Sequence, residues 1–365
     1  MSASRFWAFE YFESVLSVEV DPGVNLDESI DFLSRHFVCA PVATPVDGFV
    51  HLRLRPIESE DARFANLLGW QDMFVRESAS DFFTIPARRL RVDGLELIEC
   101  TKTSTRFVFD RVTSAVEVQL GSSGQRDFVE LVRDLVLKDQ ENRGAVPLHA
   151  TTAYRPGSCV VVAGSKGAGK STILLELVEN FGYQIVSGDR TLLRATSDGD
   201  FEIAGWPDYP HLGYATIAKY DGLRAIAGLS DAHVPASDYE FSPYNKYAVG
   251  LAGFRARFAN APQGLTCRPT LVIQPDIGPG EQTVLTPVAD ALDKRVADLE
   301  HNLESGFSGP HAGWQTFSEN LTALHRETQQ RLLRLLAGVP AFELSGPGDL
   351  TEDNFGPVLA GVVRS

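Results

Sequence analysis

Basic residues are scarce in this chain. Lys and Arg number 33 against 48 Asp and Glu, a formal net charge of −15 over 365 residues. A surface built to hold nucleic acid carries the opposite balance, so DNA and RNA are not expected partners. A local basic patch around a bound nucleotide stays open, and the acidity itself names no partner. Cysteine is sparse as well: Cys39, Cys100, Cys159 and Cys267 are the four present, none at C-x-x-C spacing. That excludes a zinc or redox motif of this kind. No apolar run approaches the roughly 20 residues that a spanning helix needs, so no membrane partner is expected. The first twenty residues lack a basic leader and carry acids inside their apolar stretch, unlike a secretory signal peptide. Internal repeats and low-complexity tracts are missing too. A soluble, cytoplasmic protein is the expectation, and the sequence leaves a homo-oligomer open. What is abundant is apolar material, at 44%. That is ample for two domains, or one large domain with additions.

Residues 164–171 read Gly-Ser-Lys-Gly-Ala-Gly-Lys-Ser, a full match to the phosphate-binding P-loop. The flanks fit the mechanism. Residues 159–163 (CVVVA) are a short apolar run of the kind that makes a buried strand, and 172–181 (TILLELVENF) carry apolar residues at helical spacing. Glycines let backbone N–H groups close around an anion, and the helix N-terminus adds its positive dipole end. The expected nucleotide contacts are Gly164, Ser165, Lys166, Gly167, Ala168, Gly169, Lys170, Ser171 and Thr172. Lys170 is expected to face solvent and reach the outer phosphates, and Ser171 to ligate Mg²⁺. ATP and GTP are not distinguished, since no base-reading motif is visible.

Residues 1–125 read as a β-rich N-terminal domain, with aromatic and β-branched residues over 6–20 and 48–54. In 115–120, Val116, Val118 and Leu120 alternate with Glu117 and Gln119. An amphipathic helix is expected over 126–138, with Phe128, Leu131, Val132, Leu135 and Val136 on one face. The second domain, 126–365, then alternates: strands over 148–154 and 159–163, the P-loop helix, strands over 184–187 and 192–195, and a further strand over 270–274. Two C-terminal helices follow, one with Leu292, Val296, Leu299 and Leu303 on a face, the next with Leu321, Leu324, Leu332 and Leu335. Both Leu stripes read as core. Residues 278–281, 305–313 and 345–348 read as loops.

A P-loop enzyme needs a second acidic group to help hold its metal. The strand after the P-loop helix ends in Ser187-Gly188-Asp189, and strand ends at that edge face the ligand crevice. Asp189 is therefore the candidate for the metal-side carboxylate, with a turn-capping Asp as the alternative. One strand upstream lies Pro147-Leu148-His149-Ala150.

Pro-Leu-His-Ala, an apolar strand, GxxxxGKS and a strand ending in Asp together resemble the HPr kinase family, especially its broader set of HPr-kinase-related proteins. The resemblance covers roughly residues 125–275 and is specific from His149 to Asp189. It implies an α/β nucleotide domain of the phosphoenolpyruvate-carboxykinase type. It places His149 at the family's active-site His and Asp189 at the second Asp of its Asp-Asp pair. Lys246 matches the family's downstream Lys loosely. Gly188 stands where the first Asp of the pair, taken as the general base in bacterial HPr kinases, is expected. Read from the residues alone, His149 is as well explained as a structural histidine.

Residues 205–214 (GWPDYPHLGY) concentrate aromatics, Pro, Asp and His beyond a strand, where an acceptor would bind. Asp208 is a candidate proton acceptor, and Trp206 and His211 candidate acceptor contacts; a rigid packed loop is the alternative. Residues 241–257 add Lys246, Arg255 and Arg257, cations able to neutralise a transferred phosphoryl group, or a solvated edge. The expectation is a Mg²⁺-dependent kinase with His149, Lys170, Asp189 and Asp208 in catalytic roles. It would move the γ-phosphoryl group of ATP or GTP to a hydroxyl of a small sugar- or nucleoside-like intermediate. A protein-serine kinase and a non-catalytic nucleotide-binding regulator are the alternatives.

Overall fold

A computed structural model describes residues 4–57, 61–65, 67–78, 83–230, 232–233, 246–308 and 312–362. The fold is mixed α/β and falls into two compact units. Unit 1 is Met1–Arg143 with Ser305–Leu324, and unit 2 is Gly144–Glu304 with His325–Ser365. The chain thus divides after 143 rather than near 125, and a later segment returns to unit 1.

Unit 1 holds strands β1 (Arg5–Tyr11), β2 (Ser14–Val20), β3 (Val38–Val42), β4 (Val50–Pro56), β5 (Gln71–Arg76), β6 (Ile85–Val92), β7 (Leu95–Cys100), β8 (Arg106–Asp110) and β9 (Ala115–Leu120). They form one sheet in the order β3-β1-β2-β4-β9-β8-β7-β6-β5. Helices α1 (Asp27–Leu33) and α2 (Gln125–Asn142) accompany it. The expected helix is α2, and its apolar stripe explains the boundary. Phe128, Leu131, Val132, Leu135 and Val136 are fully buried. Phe128 meets Phe9 of β1 edge-on at 5.9 Å, and Gln140 donates to Ser14 Oγ at 2.7 Å. The helix therefore belongs to the β-rich unit that buries its face.

Unit 2 holds β10 (Val146–Arg155), β11 (Ser158–Ala163), α3 (Lys170–Phe181), β12 (Gln184–Ser187), β13 (Arg190–Ala195), β14 (Phe201–Gly205), β15 (His211–Leu212), α4 (Tyr214–Lys219) and α5 (Leu223–Ile226). Then come β16 (Tyr247–Ala248), α6 (Leu251–Arg257), β17 (Thr266–Cys267), β18 (Leu271–Ile277), β19 (Val284–Pro287), α7 (Leu292–Glu300), α8 (Arg326–Ala337), β20 (Ala341–Gly346) and α9 (Glu352–Val362). The main sheet runs β17-β14-β13-β10-β11-β18-β20-β19, with β12 also paired to β10. It is mixed: β11, β18 and β20 are parallel neighbours, whereas β10 runs antiparallel to β11, β12 and β13.

The apolar run of β11 is continuous because both of its faces are covered. Val160 and Val162 share a core with Ile173, Leu174 and Leu177 of α3. Cys159, Val161 and Ala163 share another with Leu332, Leu333 and Leu336 of α8. Each such Leu, fully buried, contributes about 2 kcal/mol. Buried Glu176 of α3 accepts from Tyr220 Oη at 2.7 Å, Lys219 Nζ at 2.9 Å and Leu350 N at 2.9 Å. A buried carboxylate so satisfied pins the helix instead of weakening it.

The C-terminal Leu stripes are only partly core. Leu299 and Leu332 are buried, but Leu292, Leu303, Leu321 and Leu324 are exposed. Helix α7 is too short to carry Leu303, which follows its end. The second expected helix starts only at Arg326, after a 3-10 turn over Thr322–His325. Leu321 and Leu324 fall in the segment that returns to unit 1.

Candidate functional site

The P-loop leaves β11 at Ala163, and the register of the sheet decides what surrounds it. Ala163 lies opposite Ala150 on β10, and His149 lies opposite Arg190 on β13. The start of β10, the end of β11 and the turn between β12 and β13 therefore meet at one edge of the sheet. The end of β18 closes the other side, where Ile277 N–H donates to Ala168 O at 3.0 Å. Gly167 and Gly169 have φ of 87° and 102°, a region costly for residues with a Cβ. At Gly169 space is also refused, because a Cβ there would fall inside the Ile277 side chain. Helix α3 then begins at Lys170, and Thr172 Oγ1 is 2.8 Å from Thr216 Oγ1 of α4.

Lys170 does not face solvent as expected; it is 6% exposed. Its Nζ donates to the carbonyl oxygens of Gly164 at 2.8 Å and Ser165 at 3.0 Å. Wrapping its ammonium in the loop satisfies two of the three donors that burial would otherwise orphan. Burial pushes the Lys170 amine down to about 8, with nearby Lys246 acting in the same direction and Asp189 and Glu304 opposing it.

Asp189 sits in the turn after β12, with about half of its side chain accessible. His149 Nε2 lies 3.2 Å from its Oδ1. Burial of the carboxylate acts to raise Asp189. The hydrogen bond and charge of His149, with the charges of Lys246 and Lys170, outweigh it and hold the group well below the usual carboxylate range. A carboxylate that stays ionised among cations suits metal or phosphate chemistry better than proton abstraction.

Glu304 is the residue that sequence reasoning missed. Its Oε1 lies 3.6 Å from His149 Nδ1, and its Oε2 accepts from Arg190 Nη2 at 3.1 Å and Nε at 3.2 Å. His149 thus has a carboxylate beside each ring nitrogen. No motif marks Glu304, since a lone Glu after a short helix has no pattern to betray it.

The other expected contacts divide. Asp208 Oδ2 accepts from Arg190 N at 3.1 Å, which makes it the brace of the turn that carries Asp189. Trp206 is fully buried, so it supports its loop from beneath and is not an acceptor contact. His211 is half-buried on β15, whose register places it opposite Ala248 of β16. Lys246, the residue before β16, is brought within electrostatic reach of both Lys170 and Asp189. Residues 241–245 of the same segment lie outside the described residues. Arg255 stands on α6 next to core Phe254, and Arg257 is paired with Glu179 near the far end of α3, away from the loop. Ser165, Lys166 and Gly167 are exposed at the loop tip, and Ser171 is half-buried on the first turn of α3.

Among the described residues, no three His, Cys, Asp or Glu side chains gather as a metal cluster. No described helix is long and apolar enough to cross a membrane. Comparison with known protein families and with curated proteins returns no match for this chain.

Proposed function

We propose that this protein is a P-loop kinase that transfers the γ-phosphoryl group of ATP or GTP to a hydroxyl of a small molecule. The observation that carries the reading is the meeting, at one sheet edge, of the Lys170 loop with the His149–Asp189 pair at 3.2 Å. The nucleotide domain is read as the HPr-kinase-like type, on the residues from His149 to Asp189.

The residues present fit a magnesium nucleotide. Asp189 is anionic and half accessible, Ser171 is on the first helical turn, and the Gly167 and Gly169 conformations shape a loop of N–H donors. Magnesium often takes only one or two protein ligands beside the phosphates, so the lack of a three-residue cluster is no obstacle. Ser171 and Asp189 would hold it, and it would supply charge neutralisation on the phosphate oxygens.

The chain's own groups do the rest. Loop amides and Lys170 hold the phosphates, with Lys170 exchanging its carbonyl partners for phosphate oxygens. Lys246 adds positive charge on the side of Asp189. His149, and not Asp208, is the group that takes the acceptor proton. Asp208 braces Arg190, whereas an imidazole between Asp189 and Glu304 has a carboxylate ready for the positive charge it gains. The acceptor oxygen attacks the γ-phosphorus, its O–H bond passes the proton to His149, and the bond to the leaving diphosphate breaks. Positioning and charge carry most of such a loose transfer.

The test is incubation of the full chain with γ-labelled ATP or GTP, Mg²⁺ and a small-molecule extract. Label should appear in a compound below protein size with the wild type and not with Lys170→Ala. Label confined to a protein serine would turn the reading to a protein kinase. Nucleotide bound but never turned over would turn it to a regulator.

A further inference from the structure

Two thiols that the proposed chemistry leaves idle meet in the core that unit 2 shares with α8. Cys159 is the second residue of β11, and Cys267 closes β17. Within the sheet, β14, β13 and β10 stand between those two strands. The path of the chain brings them together all the same. After Cys267 it turns at once into β18, which runs parallel beside β11 with Leu271 opposite Val160. Thr270 fixes the join: its N–H donates to Cys159 O at 2.8 Å, and Cys159 N–H donates to Thr270 Oγ1 at 3.1 Å. No spacing motif marks the pair, because its members are 108 residues apart.

The two Sγ atoms lie 2.9 Å apart. Unbonded carbon atoms settle at about 3.5–4.0 Å, and sulfur is larger. An S–S bond is about 2.05 Å long, so about 0.9 Å of approach separates this contact from a bond. With both segments already held by Thr270, that approach is within the reach of side-chain rotation. Among the described residues no third His, Cys, Asp or Glu joins the pair as a metal cluster, which leaves it thiol chemistry. Access differs between the two: Cys267 is 7% exposed and Cys159 1%. The contact with Cys267, then burial, push the Cys159 thiol well above its ordinary value, so it stays protonated.

We propose that Cys159 and Cys267 form a modification site, at which a peroxide makes a reversible disulfide that ties edge strand β17 to the strand carrying the P-loop. The proposal is independent of the kinase reading. Cys267, the more accessible, reacts first. Its sulfur attacks one peroxide oxygen; the S–O bond forms, the O–O bond breaks, and the displaced hydroxide leaves as water with the thiol's proton. The Cys159 sulfur then attacks the Cys267 sulfur. The S–S bond forms, the S–O bond breaks, and a second water leaves with the Cys159 proton. Two thiols lose two electrons, and one peroxide gains them. The closed loop encloses the P-loop, α3 and the turn at Asp189, so the bond restricts the unfolded chain across most of the nucleotide unit.

The test exposes the full chain to hydrogen peroxide, then denatures it, alkylates the remaining thiols and maps its peptides without reduction. The four free thiols should fall to two, with one pair of peptides joined through Cys159 and Cys267. Dithiothreitol should return all four. The linked protein should melt about 5 °C or more above the reduced protein, as expected for closing so long a loop. Cys267→Ala should show no such rise. Four thiols surviving the peroxide overturn the proposal. So do Cys159 and Cys267 oxidised but unlinked, or joined to other cysteines. A link that leaves the melting temperature unchanged overturns the tie between β17 and β11. The wild-type map and melts decide even if Cys267→Ala does not fold.

Discussion

Lys170 Nζ donates to the carbonyl oxygen of Gly164 at 2.8 Å, so the side chain of Lys170 closes its own loop. The arrangement has a cost, since burial holds the amine down to about 8 while an unfolded Lys keeps its ordinary value of 10.5. Between those values the unfolded chain binds more protons than the folded one, so stability rises with pH across that window. Below it the penalty is fully present, about 3 kcal/mol. Lys170→Met should therefore be more stable than the wild type near neutrality, and the gap should shrink as pH climbs toward 10.5. Denaturant melts of both proteins across that range check it. A constant gap would contradict it. Nucleotide phosphate should lift the Lys170 value again, so binding just above pH 8 should take up protons, visible as buffer-dependent heats in titration calorimetry.

Gly169→Ala should abolish nucleotide binding. Its Cβ would enter the Ile277 side chain, and φ of 102° is strained for alanine even without that clash. Ile277→Ala should ease the clash without removing it, since the Ile277 Cβ still lies 2.8 Å from the added Cβ, so the double variant should regain part of the stability but not the affinity. Fluorescent-nucleotide binding and thermal melts together separate the two effects.

How much of this was legible follows from what each residue does. The P-loop, β11 and α3 were readable because a local pattern carries them, and the apolar stripe of α2 likewise. The meeting of His149 with Asp189 depends on β10 pairing with both β11 and β13, a long-range register that no local pattern contains. Glu304 was invisible because a single bridge at Leu148–Leu303 delivers it. Aromatic clustering leaves residues 205–214 open between a packed loop and a binding face, and the burial of Trp206 favours the packed loop. Leu321 and Leu324 shared a helical spacing with Leu332, but a 3-10 turn interrupts it before α8.

Asp189→Asn keeps the shape of the side chain and removes its charge. Turnover should fall by about 100-fold or more, the scale for loss of a charge aligned with the reacting group. Affinity for nucleotide without Mg²⁺ should hold or tighten, since a negative neighbour of the phosphates is gone. Binding with and without the metal, for both proteins, is the measurement. An unchanged metal dependence would remove Asp189 from the metal's reach.

Gly188→Asp should be tolerated by the fold. A Cβ at Gly188 meets nothing within 4 Å. The melting temperature should move by no more than about 2 °C, as for a surface change worth about 0.5 kcal/mol. The added carboxylate would stand beside Asp189, so Mg²⁺ should bind more tightly. A loss of stability well beyond that range would show that the turn before Asp189 is closed to a side chain.

The central claim is that the loop around Lys170 holds a magnesium nucleotide. Equilibrium titration of the full chain with Mg-ATP and Mg-GTP, beside Lys170→Ala and with folding checked by circular dichroism, tests it most directly. The account predicts saturable one-to-one binding of at least one nucleotide to the wild type, strengthened by Mg²⁺ and lost in the folded variant. No binding by the wild type, or equal binding by both proteins, would contradict it.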